Sequence, residues 1–191
     1  DLSDSELMAH AIGAYTKEGL NLFDAVKASY PLFTGAFSCV ALSKDSLVAF
    51  RDERGIRPLV IGKRTEKIFV ASETCALQTV GAEFLREVEP GEIIVVDKNG
   101  IRSEIIKKVE PKFDMFEFVY FARSDSDMLG KSVYEVRKNF GKMLAKESPK
   151  NVDIVIPVPE TAVPSAIGYS QESGVAFEMA LVKNRYIHRT F

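Results

Sequence analysis

The segment TGAFSCVALSKDSLVAFR, residues 34–51, decides the fold class of this chain. Its side chains follow a period of two along Ala36–Leu42 and again along Leu47–Arg51, which is typical of β-strands. The polar residues 43–46 lie between the two runs, where a hairpin turn is expected. An antiparallel hairpin is therefore the first piece of sheet that the sequence predicts.

The same pattern continues downstream of the hairpin. Further short strands are predicted at Leu59–Lys63, Lys67–Ala71, Phe84–Val88, Glu92–Val96 and Ile101–Lys107, with a short helix at Thr74–Val80. Pro90-Gly91 and Asn99-Gly100 separate the last three strands, and both pairs favour tight turns. Many short strands joined by tight turns indicate a largely antiparallel sheet, packed as two layers or against helices.

Helical spacing precedes the hairpin. SDSE, residues 3–6, fits a capping box, with Leu2 and Leu7 placed as a hydrophobic staple. Gly19 is placed to end this first helix, and Asn21 to cap a second one that runs to about Ser29.

The pattern changes again after Pro111. We predict a short apolar strand at Glu117–Phe121, a polar loop at Ser124–Asp127 and an amphipathic helix over Ser132–Lys146. The apolar face of that helix is predicted to comprise Val133, Val136, Phe140, Met143 and Leu144.

The last part of the chain predicts a β–loop–α–β unit. Residues 153–156 form an apolar run that suits a buried parallel strand, Ala162–Glu172 suits a helix, and Phe177–Val182 begins another strand. In open α/β sheets, ligands bind at the carboxyl ends of strands, which here is the loop after residue 156. We place a domain boundary near residue 112.

Composition narrows the classes of function. The net charge of −2, without a basic run, gives no electrostatic footprint for nucleic acid. The longest apolar runs are strand-length, too short to span a bilayer. Cys39 and Cys75 lie far apart without CxxC spacing, so we expect two buried thiols in a reducing, cytoplasmic compartment. His10 and His188 cannot form a metal site unaided.

One local cluster of cations stands out near the end of the chain. It is KNRYIHR, residues 183–189, which suits either a phosphate-bearing ligand or a solvated surface. Asp125 and Asp127 suit a solvated loop. The chain begins on Asp1 and ends on Phe191 without a recognisable start or stop, so we expect an internal piece of a longer protein.

A family resemblance emerges from motifs that follow one another in order and spacing along the whole chain. They are SDSE (3–6), AFRD (49–52), GIRPL (55–59), ASE (71–73), VEPGE (88–92), YFARSDS (120–126), KSVYEVR (131–137), IPVPE (156–160), VKNRY (182–186) and RTF (189–191). In these segments the chain resembles the amidophosphoribosyltransferases, the first committed enzymes of purine synthesis.

The resemblance implies an α+β fold in two parts. Residues 1–112 would be the later part of an N-terminal-nucleophile glutaminase of αββα type. Residues 113–191 would be the start of an α/β type I phosphoribosyltransferase domain. The whole enzyme would convert phosphoribosyl pyrophosphate (PRPP), glutamine and water to 5-phosphoribosylamine, glutamate and pyrophosphate, as a homo-oligomer with Mg²⁺ accompanying PRPP.

The resemblance also assigns residues to two binding sites. Asp4 would bind the α-ammonium group of glutamine, although it also favours the helix dipole in the first turn. Lys183, Asn184, Arg185, Tyr186 and Arg189 would begin the loop that closes over PRPP. The turn Glu160-Thr161-Ala162 would lie near the Mg²⁺–PRPP site, although Ala162 replaces a serine common in the family. For Arg57 and Glu73 we favour structural roles over substrate contact.

Reactive groups of the family are missing from these 191 residues. The nucleophilic cysteine would lie upstream of residue 1, and the acidic PRPP motif downstream of residue 191. No catalytic residue is therefore assigned, and the chain alone is expected to be inactive. Asp114 occupies about the position of a cluster-binding cysteine, so we expect no iron–sulfur cluster and no other resident metal.

Two alternatives remain at this point. One is another class II amidotransferase, such as the hexosamine-forming synthase, which would share the glutaminase fold and an aspartate like Asp4. Its sugar-isomerase part would not carry the IPVPE and KNRY segments. The other is a non-catalytic binding protein derived from the enzyme, which would account for the missing nucleophile.

Overall fold

The computed structural model describes residues 2–187, and the chain divides into two compact units, Asp1–Asp114 and Met115–Phe191. The sequence places the domain boundary near residue 112.

The first unit opens with two capped helices, α1 (Asp4–Lys17) and α2 (Leu22–Ser29). The capping box at Ser3 is complete, because its hydroxyl accepts from the Glu6 amide at 3.3 Å and its own amide donates to the Glu6 carboxylate at 2.7 Å. Asn21 caps α2 by accepting from the Asp24 amide at 3.0 Å. Both predicted helices and their caps are confirmed, and a 3₁₀ turn (Tyr30–Leu32) follows.

Two antiparallel sheets follow the helices. The strands are β1 (Ser38–Leu42), β2 (Ser46–Arg51), β3 (Val60–Arg64), β4 (Lys67–Ala71), β5 (Glu83–Glu87), β6 (Glu92–Asp97) and β7 (Gly100–Ile105). The larger sheet has the order β1-β2-β6-β7, and the smaller has the order β4-β3-β5. The predicted hairpin pairs β1 with β2, so that Val40 faces Ala49 across the ladder.

Among residues 2–114, buried apolar side chains form cores that lie in layers. Val48 and Phe50 of β2 point towards the helices, where they join a core that contains Val26. The intervening Ala49 joins a second core, between the two sheets. A short helix α3 (Thr74–Thr79) covers the smaller sheet, where Leu77 packs on Val60. The predicted two layers of sheet and the predicted packing against helices are both present.

The second unit begins with a helical turn where a strand was predicted. Glu117–Phe121 is a π-helix, and the Ala122 amide donates to the Glu117 carbonyl at 3.0 Å. The buried Arg137 guanidinium donates to the carbonyls of Phe118 and Ala122, at 2.5 and 2.7 Å. In a strand, with a rise of about 3.3 Å per residue, two carbonyls four residues apart would lie about 13 Å from each other, too far for one guanidinium to reach both. The strand prediction is wrong for this reason.

Helices α4 (Val133–Glu147) and α5 (Val163–Ser173) pack closely in this unit. The fully buried ridge of α4 is Val133, Arg137, Gly141 and Ala145. Met143 and Leu144, which were predicted to be on the buried face, are 51% and 53% exposed. That part of the predicted face is wrong, because α5 approaches along the ridge that contains the glycine.

Two strand pairs complete the second unit. Strands β8 (Asp127–Met128) and β9 (Lys131–Ser132) form a small hairpin that the sequence did not reveal. Strands β10 (Ile154–Val155) and β11 (Ala176–Phe177) pair in parallel, which confirms the predicted direction. Ile154 is 44% exposed and β11 ends at Phe177, so the predicted burial and the predicted extent to Val182 are wrong. Because each of these strands has only two residues, the pair leaves side chains such as that of Ile154 partly exposed.

Across residues 2–187, no helix has the length and apolar character needed to cross a bilayer.

Candidate functional site

Asp4 lies in the first turn of α1, at the rim of a recess of about 340 Å³. Leu7 and Met8 of the same helix line the recess, together with residues of the segment 32–37. The Asp4 side chain is exposed, and within residues 2–187 it makes no hydrogen bond or ion pair. A carboxylate in this position is available to a cationic group of a ligand.

The segment Phe33–Phe37 separates this recess from a second one. Phe33, Thr34 and Phe37 line both recesses, and the second recess has a volume of about 450 Å³. The two phenylalanine rings meet edge to face with centroids 5.9 Å apart, and Phe37 also contacts Phe50 of β2 at 6.0 Å. We call Phe33–Phe37 the dividing wall.

A buried arginine lies behind the dividing wall, at the end of β2. The Arg51 guanidinium donates to the carbonyls of Arg57 at 2.6 Å, Val88 at 2.6 Å and Gly55 at 2.8 Å. Burial lowers the pKa of Arg51, while the nearby Glu87, Asp52 and Glu89 carboxylates act in the opposite direction. A buried charge satisfied by three carbonyls fixes the backbone of the following turn.

Asp52 completes this arrangement. Its carboxylate is fully buried and accepts from the backbone amides of Arg54 at 3.0 Å and Ile56 at 3.1 Å. Gly55 lies at the centre of the turn with a φ of 65°, and an added Cβ there would approach Pro90 Cγ to 2.7 Å. The AFRD and GIRPL motifs therefore form one rigid turn.

In the second unit, the described residues that were predicted for the PRPP site lie in two neighbouring loops. Glu160 and Thr161 follow β10, and Ala162 is the N-cap of α5 without a side-chain cap. The Arg185 guanidinium lies 3.5 Å from the Glu160 carboxylate, and both side chains are largely exposed. The structure thus brings the IPVPE turn and the KNRY loop together.

The other loop residues are solvent-exposed. Asn184 accepts from the Tyr186 amide at 2.9 Å through its side-chain oxygen, and the Tyr186 side chain is 97% exposed. Lys183 is also exposed. Arg189 and His188 lie outside the described residues, so their predicted surroundings are untested.

Neither cysteine suits a nucleophile. Cys39 and Cys75 are both free thiols, and burial raises the pKa of Cys39. A raised pKa reduces the thiolate fraction, which is the reactive form. Among residues 2–187, no group of three or more His, Cys, Asp or Glu side chains could hold a metal ion.

The residues left open by the sequence make contacts within the first unit. The Arg57 side chain lies 3.7 Å from the Asp114 carboxylate, and its carbonyl accepts from Ser38 and Arg51. Glu73 is the N-cap of α3, and its carboxylate lies 3.9 Å from the Cys75 sulfur. These contacts agree with structural roles for Arg57 and Glu73.

The sequence alone did not predict the structural hydrogen bonds of the Arg51, Arg137 and Tyr30 side chains. One sequence feature could have indicated such a residue. Arg51 directly follows the apolar strand residues Val48–Phe50, at a position where a buried side chain is expected. Both arginines lie in family motifs, but only the folded structure brings their carbonyl partners together.

Comparisons with known proteins find similar sequences along both units of the chain. The glutamine amidotransferase domain family matches residues 1–79. The chloroplastic amidophosphoribosyltransferase of Glycine max is 47% identical over 191 residues, which cover 99% of this chain and 33% of that protein. The Bacillus subtilis amidophosphoribosyltransferase is 40% identical over 193 residues, covering 99% and 40%. Along nearly its whole length the chain is similar to amidophosphoribosyltransferases.

The solved structures extend this agreement to three dimensions. A glutamine PRPP amidotransferase from B. subtilis, complexed with ADP and GMP, superposes with a TM-score of 0.90 at 40% identity. The match covers 99% of this chain and 41% of that one, and it confirms the predicted fold class. The chain spans about two fifths or less of the length of these relatives.

Proposed function

We propose that this chain supplies the glutamine ammonium site and part of the PRPP site of an amidophosphoribosyltransferase. The complete enzyme converts PRPP, glutamine and water to 5-phosphoribosylamine, glutamate and pyrophosphate, as a homo-oligomer in a reducing compartment such as the cytoplasm. The observation that carries the proposal is the Asp4 carboxylate at the rim of its recess, which has no hydrogen-bond or ion-pair partner within residues 2–187. The chain is similar to these enzymes along 99% of its length.

The recess suits one end of an amino acid. The Asp4 carboxylate would accept charge-assisted hydrogen bonds from the α-ammonium of glutamine. Met8 and the dividing wall supply apolar surface beside it, which lowers the local dielectric and strengthens the ion pair. The same carboxylate also interacts favourably with the positive end of the α1 helix dipole. The helix start and the substrate contact are therefore compatible.

The second unit contributes charge of both signs near PRPP. Lys183, Arg185 and Arg189 supply cations for diphosphate oxygens, with Asn184 and Tyr186 as hydrogen-bonding neighbours. Glu160 is the carboxylate of the turn, and Ala162 adds no oxygen ligand. A single carboxylate suits Mg²⁺ that arrives bound to substrate phosphates, because this ion commonly takes one or two carboxylates in addition to phosphate oxygens.

Replacing Asp4 tests the glutamine assignment. In the complete protein that carries this chain, Asp4→Asn should reduce glutamine-dependent phosphoribosylamine synthesis by about 10- to 100-fold, because a charged hydrogen bond to the substrate is lost. Synthesis from added ammonia should persist, because it bypasses glutamine. The measurement is the initial rate with each nitrogen donor at saturating PRPP.

Asp24→Asn is the matched control, because Asp24 is an exposed aspartate in the first turn of α2. It removes the same charge from a helix start without touching the recess. Equal loss of both activities in Asp4→Asn would assign Asp4 to structure alone and contradict the proposed site.

A further inference from the structure

The 3₁₀ turn that leads into the dividing wall begins at Tyr30, whose carbonyl accepts from the Phe33 amide at 3.0 Å, and the Tyr30 hydroxyl anchors this turn. This group donates to the Arg51 carbonyl at 2.6 Å, and the side chain is 4% exposed. Burial raises the pKa of Tyr30, and the neighbouring Asp52 and Glu53 carboxylates raise it further. The phenol therefore stays protonated, and remains a donor, at all pH values at which the protein is expected to work.

The end of the dividing wall is anchored by the backbone of Asp52, the residue that follows Arg51. The Asp52 amide donates to the Phe37 carbonyl at 2.9 Å. The next residue, Ser38, donates its hydroxyl to the Arg57 carbonyl at 3.1 Å. Both ends of the segment are thus tied to the turn that Arg51 and Asp52 make rigid.

The dividing wall depends on these anchors because it belongs to no regular element. It lies between the 3₁₀ turn and β1, and Gly35 within it has a φ of 96°. The side chains of Thr34 and Ala36 are exposed, so burial does little to fix the middle of the segment. Its position is set by the two ends and by the Phe33 and Phe37 rings.

We propose that Tyr30 is a positioning residue for the Asp4 recess, acting through the dividing wall. This inference rests on the proposed function, because it takes glutamine as the occupant of the recess. Tyr30 lines the second recess and is not among the residues that line the Asp4 recess, so its effect on that recess is indirect. It sets the distance between the dividing wall and α1, and therefore the fit of the amino acid that Asp4 holds.

The hydroxyl can be separated experimentally from the ring. Tyr30→Phe keeps the aromatic contact with Phe37, whose ring centroid lies 5.7 Å away, and removes only the hydrogen bond. Tyr15→Phe is the matched control, because Tyr15 packs against the same core and its hydroxyl makes no hydrogen bond within the described residues.

The first measurement uses the 191-residue chain without glutamine. Amide hydrogen exchange across residues 33–37 should accelerate by about fivefold to tenfold in Tyr30→Phe, and remain unchanged in Tyr15→Phe. Unchanged exchange in both variants would overturn the proposal, because the hydroxyl would then not hold the segment.

The second measurement uses the complete protein. Tyr30→Phe should raise the KM for glutamine by about fivefold, while kcat at saturating glutamine and the ammonia-dependent rate stay within twofold of the unsubstituted protein. An unchanged glutamine KM, or a parallel fall in both activities, would reduce Tyr30 to a structural residue and overturn the inference.

The two proposals can fail separately. If Asp4→Asn leaves glutamine use intact, glutamine does not occupy the recess and the proposed function fails there, whatever the exchange measurement shows. If Asp4→Asn abolishes glutamine use while Tyr30→Phe leaves the KM unchanged, the function stands and the positioning role is wrong.

Discussion

Glu92 shows at the scale of one residue how a buried charge is stabilised. Its side chain is 3% exposed, and its carboxylate accepts two hydrogen bonds from Arg86, at 2.8 and 2.7 Å, and one from the Glu89 amide at 2.7 Å. Burial by itself would raise the pKa of Glu92. The hydrogen bonds from Arg86, Glu89 and Ser103 outweigh burial, and the pKa is lowered from its ordinary 4.5.

The lowered pKa predicts an acid dependence of stability. A carboxyl whose pKa is lower in the folded state stabilises the protein above its unfolded pKa, and this contribution is lost as the pH falls through the folded value. Glu92→Gln should therefore lower the free energy of unfolding at pH 7 by roughly 1–3 kcal/mol. The difference from the unsubstituted chain should shrink below about pH 4.5.

Urea unfolding of the 191-residue chain between pH 3 and pH 7 measures this difference. Glu66→Gln is the control, because the Glu66 side chain is 95% exposed and lies 3.9 Å from Lys63. A surface pair of this kind contributes little. A Glu92→Gln effect that is equal at pH 3 and pH 7 would show that ionisation of Glu92 does not stabilise the fold.

At the scale of elements, the packing of α4 on α5 depends on two glycines. An added Cβ at Gly141 would lie 1.8 Å from the Ser165 carbonyl oxygen, and one at Gly168 would lie 1.9 Å from that of Lys138. The Ser165 hydroxyl also donates to the Arg137 carbonyl at 2.9 Å, across the same contact. The helices approach so closely because neither glycine has a side chain.

Gly141→Ala should destabilise the chain by about 2 kcal/mol or more, because the two helix backbones must separate to admit the methyl group. The matched control is Gly13→Ala in α1, where an added Cβ meets no atom within 4 Å. That substitution should stabilise the chain by about 0.5–1 kcal/mol through helix propensity. Thermal unfolding of the three proteins tests both values, and equal shifts would contradict the close-packing argument.

The π-helix at Glu117–Phe121 illustrates the limit of element prediction. Its apolar residues suit a strand, and periodicity over five residues cannot distinguish the two. Arg137 is 20 residues away from Glu117 in sequence, and its guanidinium selects the helical turn by collecting carbonyls. Here the hydrogen bonds of a side chain distant in sequence outweigh the local preference for a strand.

At the scale of the whole molecule, the 191-residue chain should hydrolyse no glutamine. Its two cysteines are Cys39, whose pKa is raised by burial, and Cys75, which is buried. Neither suits the nucleophile that the reaction needs, and binding residues cannot replace it. Release of glutamate from glutamine by the purified chain, above the rate of a denatured sample, would contradict this prediction.

The C-terminal loop provides a further whole-molecule test. In the complete protein, Lys183→Ala and Arg189→Ala should each raise the PRPP concentration needed for half-maximal rate by about 10-fold, because a cation facing phosphate is removed. Basal glutamine hydrolysis without PRPP should be unaffected, and its stimulation by PRPP should fall.

Lys150→Ala is the control for this experiment, since Lys150 is an exposed lysine of the same unit outside the predicted site. Its PRPP dependence should match that of the unsubstituted protein. Unchanged PRPP dependence in both loop variants would leave the cationic cluster as a solvated surface.

Sequence patterns alone predicted the layered first unit, its helix caps, its hairpins and the similarity to amidophosphoribosyltransferases. These features depend on neighbours a few residues apart, such as Ser3 with Glu6, and on the period of two along β1 and β2. Both kinds of pattern can be recognised without knowledge of the fold. The tertiary structure decided where Arg51 and Arg137 place their hydrogen bonds, which face of α4 is buried, and that Tyr30 holds the wall beside Asp4. Each of these depends on contacts between residues distant in sequence, and a buried polar group reveals its partners only after the chain has closed around it.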